Sequence, residues 1–254
     1  MSPEISWVFF DVGNVVFTDD LAMLFIYQTL HPEILRIDSS ITFGEILRQK
    51  EELVRRNGDG KPHQALAVKY LGEEGYARFR QAVLAELDRD YARYNTPIPG
   101  VREVMGQLSG RFKIGVAANQ VKACRQALGE AGLLDHLSLV WLSEEVGLSK
   151  PDRRFFEGFL EEAGCSGAEA VMIGDRLDYD ILPAKAQGMK TILTRMDYRN
   201  MVEVPPTEEA RWYFESLARV RVSGAEPRTE GERPDAVVTL LEQIPSVIDE
   251  LGIE

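Results

Sequence analysis

Two aspartates follow short apolar runs at distant points of the chain: Asp11 after Trp7-Val8-Phe9-Phe10, and Asp175 after Val171-Met172-Ile173-Gly174. A lysine, Lys150, lies between them in Leu148-Ser149-Lys150-Pro151. If the apolar runs are parallel strands, both carboxylates stand at strand carboxyl ends, where the residues of an open α/β sheet converge on ligands. Two carboxylates and an ammonium brought together there can hold a divalent cation and a phosphate. Taken singly, an Asp after an apolar run is more often a turn or helix N-cap residue. The surroundings set this pair apart. Asp11 opens Asp-Val-Gly-Asn-Val-Val-Phe, and Asp175 opens Asp-Arg-Leu-Asp-Tyr-Asp, with a further carboxylate, Asp180, five residues on.

The elements that must position these residues are legible along most of the chain. Short β-rich runs at 5–10, 112–117, 138–142, 170–173, 190–194 and 236–239 alternate with helical patterns near 100–109, 120–131, 152–163, 180–187 and 240–251. That alternation predicts βαβ units: an α/β fold with a Rossmann-like parallel sheet sandwiched by helices. Gly132 and Gly164 follow helix ends, where C′ glycines are expected.

One interval breaks the alternation. Between Phe17 and Pro97 there is no buried strand pattern, only helix-like sequence. Leu21–Leu30 is apolar on most faces, and Thr42–Arg56 opens with a Thr-x-x-Glu capping box formed by Thr42 and Glu45. Pro62–Leu71 and Glu74–Tyr94 follow, the last with Tyr76, Phe79, Val83, Leu87 and Tyr91 at helical spacing, a core stripe. Some eighty residues is too long for a loop. The expected division is therefore a Rossmann-like core, 1–17 and 98–254, and a helical cap, 18–97. A second irregular stretch, 197–233, carries Pro205-Pro206 and a helix over Glu208–Leu217, and is expected to run over the surface. Whether its Trp212, Tyr213 and Phe214 pack on the core or meet another subunit stays open.

Asp11, Lys150, Asp175 and Asp180, with Gly174, Ala184, Gly188 and Leu193 in the late segment, give the chain its likeness to a known family. It resembles the haloacid dehalogenase-like (HAD) hydrolase superfamily over residues 5 to about 195, and again at Pro234 to Ile248. Most members are magnesium-dependent phosphatases, and many carry a helical cap after the first motif that selects the substrate. The resemblance implies Asp11 as nucleophile, forming an aspartyl-phosphate, and Lys150 as partner of Asp11 and of the transferring phosphoryl group. It implies Mg²⁺ held by Asp11, the backbone carbonyl of Gly13 and Asp175, with Asp180 orienting the metal shell. Two positions depart from the family pattern. Gly13 stands where phosphatases carry a second Asp, the general acid and base. Ala118 stands where a Ser or Thr hydroxyl binds the phosphoryl group, leaving the backbone N–H of Asn119 as a donor.

Composition bounds the partners. With 254 residues, 44% hydrophobic and 28% charged, the chain has the make-up of an ordinary globular protein. A net charge of −12 without a basic patch argues against nucleic acid, so an anionic substrate needs local positive charge from Lys150 and a metal ion. Cys124 and Cys165 are too few for a disulfide scaffold, and His31, His63 and His136 are isolated surface or packing residues. No apolar run approaches the ~18 residues of a membrane span, and Met-Ser-Pro-Glu is no signal peptide, so the expectation is a cytoplasmic protein without a membrane partner. Oligomeric state is not legible.

The leading expectation is a phosphohydrolase or phosphotransferase acting on a small phosphorylated metabolite. Gly13 and Ala118 leave open a degenerate, non-catalytic binding protein of the same fold. A dehalogenase- or phosphonatase-like C–X hydrolase is the third reading. Dehalogenases also lack the second Asp, but they usually lack the late acidic pair kept here. Phosphonate-cleaving relatives use a cap lysine, and Lys50, Lys61 and Lys69 have no recognisable context for that role.

Overall fold

The computed structural model describes residues 4–57, 61–196, 201–220 and 226–252. The chain forms two compact units, one of Met1–Thr18, Pro97–Tyr198 and Ala225–Glu254, the other of Asp19–Thr96 and Arg199–Gly224.

The first unit is built on six strands: β1 (Trp7–Phe10), β2 (Lys113–Ala118), β3 (Leu139–Leu142), β4 (Ala170–Gly174), β5 (Lys190–Thr194) and β6 (Ala236–Val238). All pairings are parallel, in the order β3-β2-β1-β4-β5-β6. Helices at Val101–Ser109, Ala123–Glu130, Arg153–Ala163, Leu182–Ala186 and Ile244–Leu251 follow the strands in turn. Each predicted strand is present within three residues of its expected ends. The central strands are buried along their whole length, as continuous apolar runs covered on both faces should be. The strand order reverses at β1, so β1 and β4 are neighbours with Phe10 opposite Ile173. That switch point is where an open parallel sheet leaves a crevice beyond its carboxyl ends.

Helix Arg153–Ala163 shows how the sequence fixes a flanking layer. Asp152 caps its start by accepting from the Arg154 N–H, and Gly164, at φ +65°, ends it in the left-handed conformation expected of a C′ glycine. Phe155, Phe156, Phe159 and Leu160 form the buried stripe against Trp7, Phe9 and Met172. Phe9 stacks on Trp7 at 5.2 Å and meets Phe159 at 4.5 Å. Gly115 leaves room for the Phe9 ring, since a Cβ there would lie 2.5 Å from it. Each fully buried Phe contributes about 1.5–3 kcal/mol through removal from water, so this layer anchors β1 behind Asp11.

The second unit is helical: Asp20–Leu35, Phe43–Asn57, Pro62–Arg89, Tyr91–Tyr94 and Glu208–Arg219. The two helices expected at 62–71 and 74–94 are present, parted at Gly72, whose φ of +70° and ψ of 174° are not helical, and a separate turn, Tyr91–Tyr94, closes the second. The capping box is half realised. The Glu45 N–H donates to Thr42 Oγ1, but the Glu45 carboxylate turns to Arg48 and Gln49. Phe79 and Val83 are buried and Tyr76 and Leu87 pack beside them, so the stripe is core.

One boundary needs correction. The core was expected to hold all of 98–254, yet 199–224 belongs to the helical unit. The reason is a buried face on helix Glu208–Arg219. Ala210 and Tyr213 join the apolar cluster of Leu24, Tyr27, Phe43 and Phe79, and Trp212 and Phe214 pack against it. Polar contacts fix the register. Lys50, buried at 2% exposure, donates from Nζ to the Val220 carbonyl at 2.9 Å and to Ser216 Oγ at 3.3 Å. Next to it, burial disfavours the Glu51 carboxylate, but Arg219, Ser216 and Arg55 outweigh burial and hold its pKa below the usual range.

Candidate active site

Asp11 follows β1 directly, and its N–H donates to the Ile173 carbonyl of β4 at 2.8 Å. The backbone then turns tightly: Val16 and Phe17 both donate to the Val12 carbonyl, and Asn14, at φ +55°, donates to Phe17. Gly13 lies inside this turn, bridged to Phe17. Asn tolerates the left-handed region better than most residues, which suits it to that corner.

Lys150 is the centre of the site. Its Nζ lies 2.5 Å from Asp11 Oδ1 and 2.5 Å from Asp180 Oδ1, with the side chain 2% exposed. Burial alone would lower its pKa, but the two carboxylates outweigh burial and raise it, so the ammonium stays charged. Asp180 is buried too. Burial pushes its carboxyl up, Lys150 opposes this, and the nearby Asp11 charge adds to the rise. Its second oxygen accepts from the Arg176 N–H at 3.0 Å. Asp180 therefore spends one oxygen on the lysine and the other on the loop that carries it.

Asp175 follows β4, on the strand adjoining Asp11. One ligand oxygen each from Asp11, Asp175 and Asp180 lie within 4.8 Å of one another, the group found among the described residues that could hold a metal ion. The donors are all carboxylate oxygens, a hard set that fits Mg²⁺ rather than a thiophilic ion.

The remaining predicted residues divide. Ala118 is the last residue of β2 and is buried. Asn119 follows it, and its side chain is already engaged: Oδ1 accepts from the Lys150 N–H at 2.7 Å, and Nδ2 donates to the Lys150 carbonyl at 2.9 Å. Asp178, between Asp175 and Asp180 in the sequence, pairs with the Arg176 guanidinium at 2.7 Å.

Two supporting residues, Thr194 and Arg195, were missed by sequence reasoning. Arg195, just past β5, donates to the Asp175 carbonyl at 2.7 Å, and Thr194 Oγ1 reaches the Gly174 carbonyl at 3.4 Å. Gly174, already singled out in the sequence, lies under Asp180, where any Cβ would overlap the Asp180 side chain. The one available signal was position: each stands at a strand end beside a residue already singled out.

Known proteins resemble this chain over most of its length. The profile of the family described as haloacid dehalogenase-like hydrolase matches residues 5–188. Pyrimidine 5'-nucleotidase YjjG of Escherichia coli is 28% identical over 226 residues, covering 83% of this chain and 94% of its own length. Glyceraldehyde 3-phosphate phosphatase of Methanopyrus kandleri is 30% identical over 182 residues, covering 68% and 78%. The crystal structure of a HAD phosphatase from Thermococcus onnurineus shares the fold, with a TM-score of 0.60 at 20% identity over 96% of this chain and 98% of that one. A family match over residues 5–188, a span that includes Asp11, Lys150, Asp175 and Asp180, makes the protein a member of the haloacid dehalogenase-like hydrolases.

Proposed function

We propose that the protein is a Mg²⁺-dependent phosphohydrolase or phosphotransferase that acts on a small phosphorylated metabolite through an aspartyl-phosphate on Asp11. The observation that carries this reading is the sharing of one buried ammonium, Lys150, between Asp11 and Asp180 at 2.5 Å each. Phosphoryl transfer needs an in-line nucleophile and positive charge around the equatorial oxygens. Asp11 supplies the nucleophile from the rigid end of β1. Lys150 supplies one positive charge, and Asp180 holds it in place. A Mg²⁺ ion held by Asp11, the Gly13 carbonyl and Asp175 would supply further charge neutralisation. The Asn119 N–H remains as a backbone donor to the phosphoryl group.

The Asp11 oxygen attacks phosphorus as the bond to the leaving oxygen breaks. With no carboxyl at position 13, the departing oxygen takes its proton from water or leaves as the anion. Water then adds to the aspartyl-phosphate, releasing phosphate and restoring Asp11; an alcohol in its place gives transfer. Relatives named for a pyrimidine nucleotide and for glyceraldehyde 3-phosphate support a small phosphorylated substrate. The phosphonatase-like reading loses ground, because Lys50 is buried against Ser216 and Val220, while Lys69 is exposed and donates to Gln49.

The test is a Mg²⁺-dependent activity panel of acetyl phosphate, p-nitrophenyl phosphate, sugar phosphates and a haloacid, with a beryllofluoride soak beside it. Phosphate release abolished by Asp11→Asn, and a beryllofluoride adduct on Asp11, are the expected results. Halide release without phosphate release, or an adduct elsewhere, would overturn the reading.

A further inference from the structure

Asn119 was expected to serve the phosphoryl group, yet its side chain faces another task. Its amide oxygen accepts from the Lys150 N–H at 2.7 Å and its amide nitrogen donates to the Lys150 carbonyl at 2.9 Å. The side chain thus pairs with one residue as a neighbouring strand would, satisfying both backbone groups of Lys150. It acts from a fixed point. Asn119 directly follows β2, and the next residues are tied down by Gln120 N–H to the Ala118 carbonyl at 3.1 Å and Glu144 N–H to the Gln120 carbonyl at 3.3 Å.

The loop it holds has little else of this kind to offer. Pro151 has no N–H, and the Ser149 carbonyl accepts from Asp152 at 2.9 Å. The position of the Lys150 Cα, and through it the reach of Nζ to Asp11, depends on what grips the Lys150 peptide groups. We propose that Asn119 is a positioning residue: its side-chain amide clamps the backbone of Lys150 to the end of β2 and so sets where the ammonium meets Asp11 and the phosphoryl group. This rests on the reaction proposed above for its kinetic consequence, but not for the clamp itself. A displacement of about 1 Å in a catalytic group can cost ~10²-fold in rate, so two part-buried hydrogen bonds are enough to matter.

The experiment combines amide hydrogen exchange with a double-mutant cycle on the full-length protein. In the wild type the Lys150 N–H is expected to be protected. Asn119→Ala should lose that protection by at least ~10-fold, with an unchanged melting temperature. Asn119→Asp keeps the acceptor but loses the donor, so Lys150 should remain protected. On p-nitrophenyl phosphate, Asn119→Ala should lower kcat by about 10- to 100-fold with little change in KM, and Asn119→Asp should fall between. In a Lys150→Ala background, Asn119→Ala should cost nothing further, since residues acting as one unit are non-additive. Unchanged protection of Lys150 in Asn119→Ala, or an equal loss of kcat in both backgrounds, would overturn the proposal. A wild type that hydrolyses no phosphate would sink the proposed reaction, and lost protection at Lys150 would still support the clamp.

Discussion

Asp180 packs directly on the α-carbon of Gly174: a methyl group at 174 would overlap the Asp180 Cβ, Cγ and Oδ2. The glycine is there for space, not for backbone freedom, since its φ is not in the left-handed region. Through that contact the end of β4 determines where Asp180, and therefore Lys150, can lie.

Gly174→Ala is expected to push Asp180 off Lys150. Overpacking a filled site costs about 1–3 kcal/mol, and the displaced lysine should lower kcat by about 10²-fold. Urea unfolding and steady-state kinetics measure the two effects. Full activity would show that Asp180 can move without consequence for the lysine.

Asp175→Asn should weaken Mg²⁺ binding, because it removes one of two strand-end carboxylates while leaving the Arg195 contact to the Asp175 backbone intact. Losing an outer-shell partner typically costs 10–100-fold in metal affinity, so losing a direct ligand should cost at least ~10-fold. Titration calorimetry on the wild type and the variant gives the comparison. Equal affinities would place the ion somewhere other than the Asp11–Asp175–Asp180 group.

The parts of this molecule that were legible in sequence are those governed by local pattern. The apolar runs ending at Phe10 and Gly174 gave their strands and put Asp11 and Asp175 at strand ends; that the two strands adjoin is a long-range pairing the local pattern does not carry. Helix Glu208–Arg219 was legible as a helix, but not its destination, because an amphipathic face does not say what covers it. Lys50 shows why: its partners, Ser216 and Val220, lie more than 160 positions away. The Asn119 clamp was hidden for the same reason. An Asn after a strand reads as a turn residue, and nothing local points to Lys150.

His63 offers a pH test in the helical unit. Burial, with the Lys61 charge acting in the same direction, lowers its pKa from 6.5 to about 4, and its Nδ1 is buried without a hydrogen-bond partner. The unfolded chain takes up the proton near pH 6.5, while the folded chain resists until about pH 4. Stability from this group is therefore complete above pH 6.5 and is lost as pH falls toward 4, by about 1–3 kcal/mol. Urea midpoints at pH 7 and pH 5 should differ in that direction, and His63→Gln should flatten the difference. A variant with the wild-type slope would assign the acid sensitivity to other groups.

The last prediction concerns the proton that Gly13 cannot provide. General acid–base catalysis is typically worth ~10²–10⁴ in rate, and position 13, bridged to Phe17 in the turn after Asp11, has no side chain to supply it. The first step should then depend steeply on leaving-group pKa. Acyl phosphates and phenyl phosphates with electron-withdrawing substituents should be cleaved far faster than alkyl phosphates. Gly13→Asp should narrow the gap by raising alkyl phosphate turnover, provided the turn from Val12 to Phe17 accommodates the carboxylate. A series of substituted phenyl phosphates, with a burst or single-turnover measurement to isolate the chemical step, gives the slope. A flat slope with chemistry rate-limiting would mean that another residue delivers the proton, and the first candidates would be Asn14 through a bound water, Asp19 and Asp20.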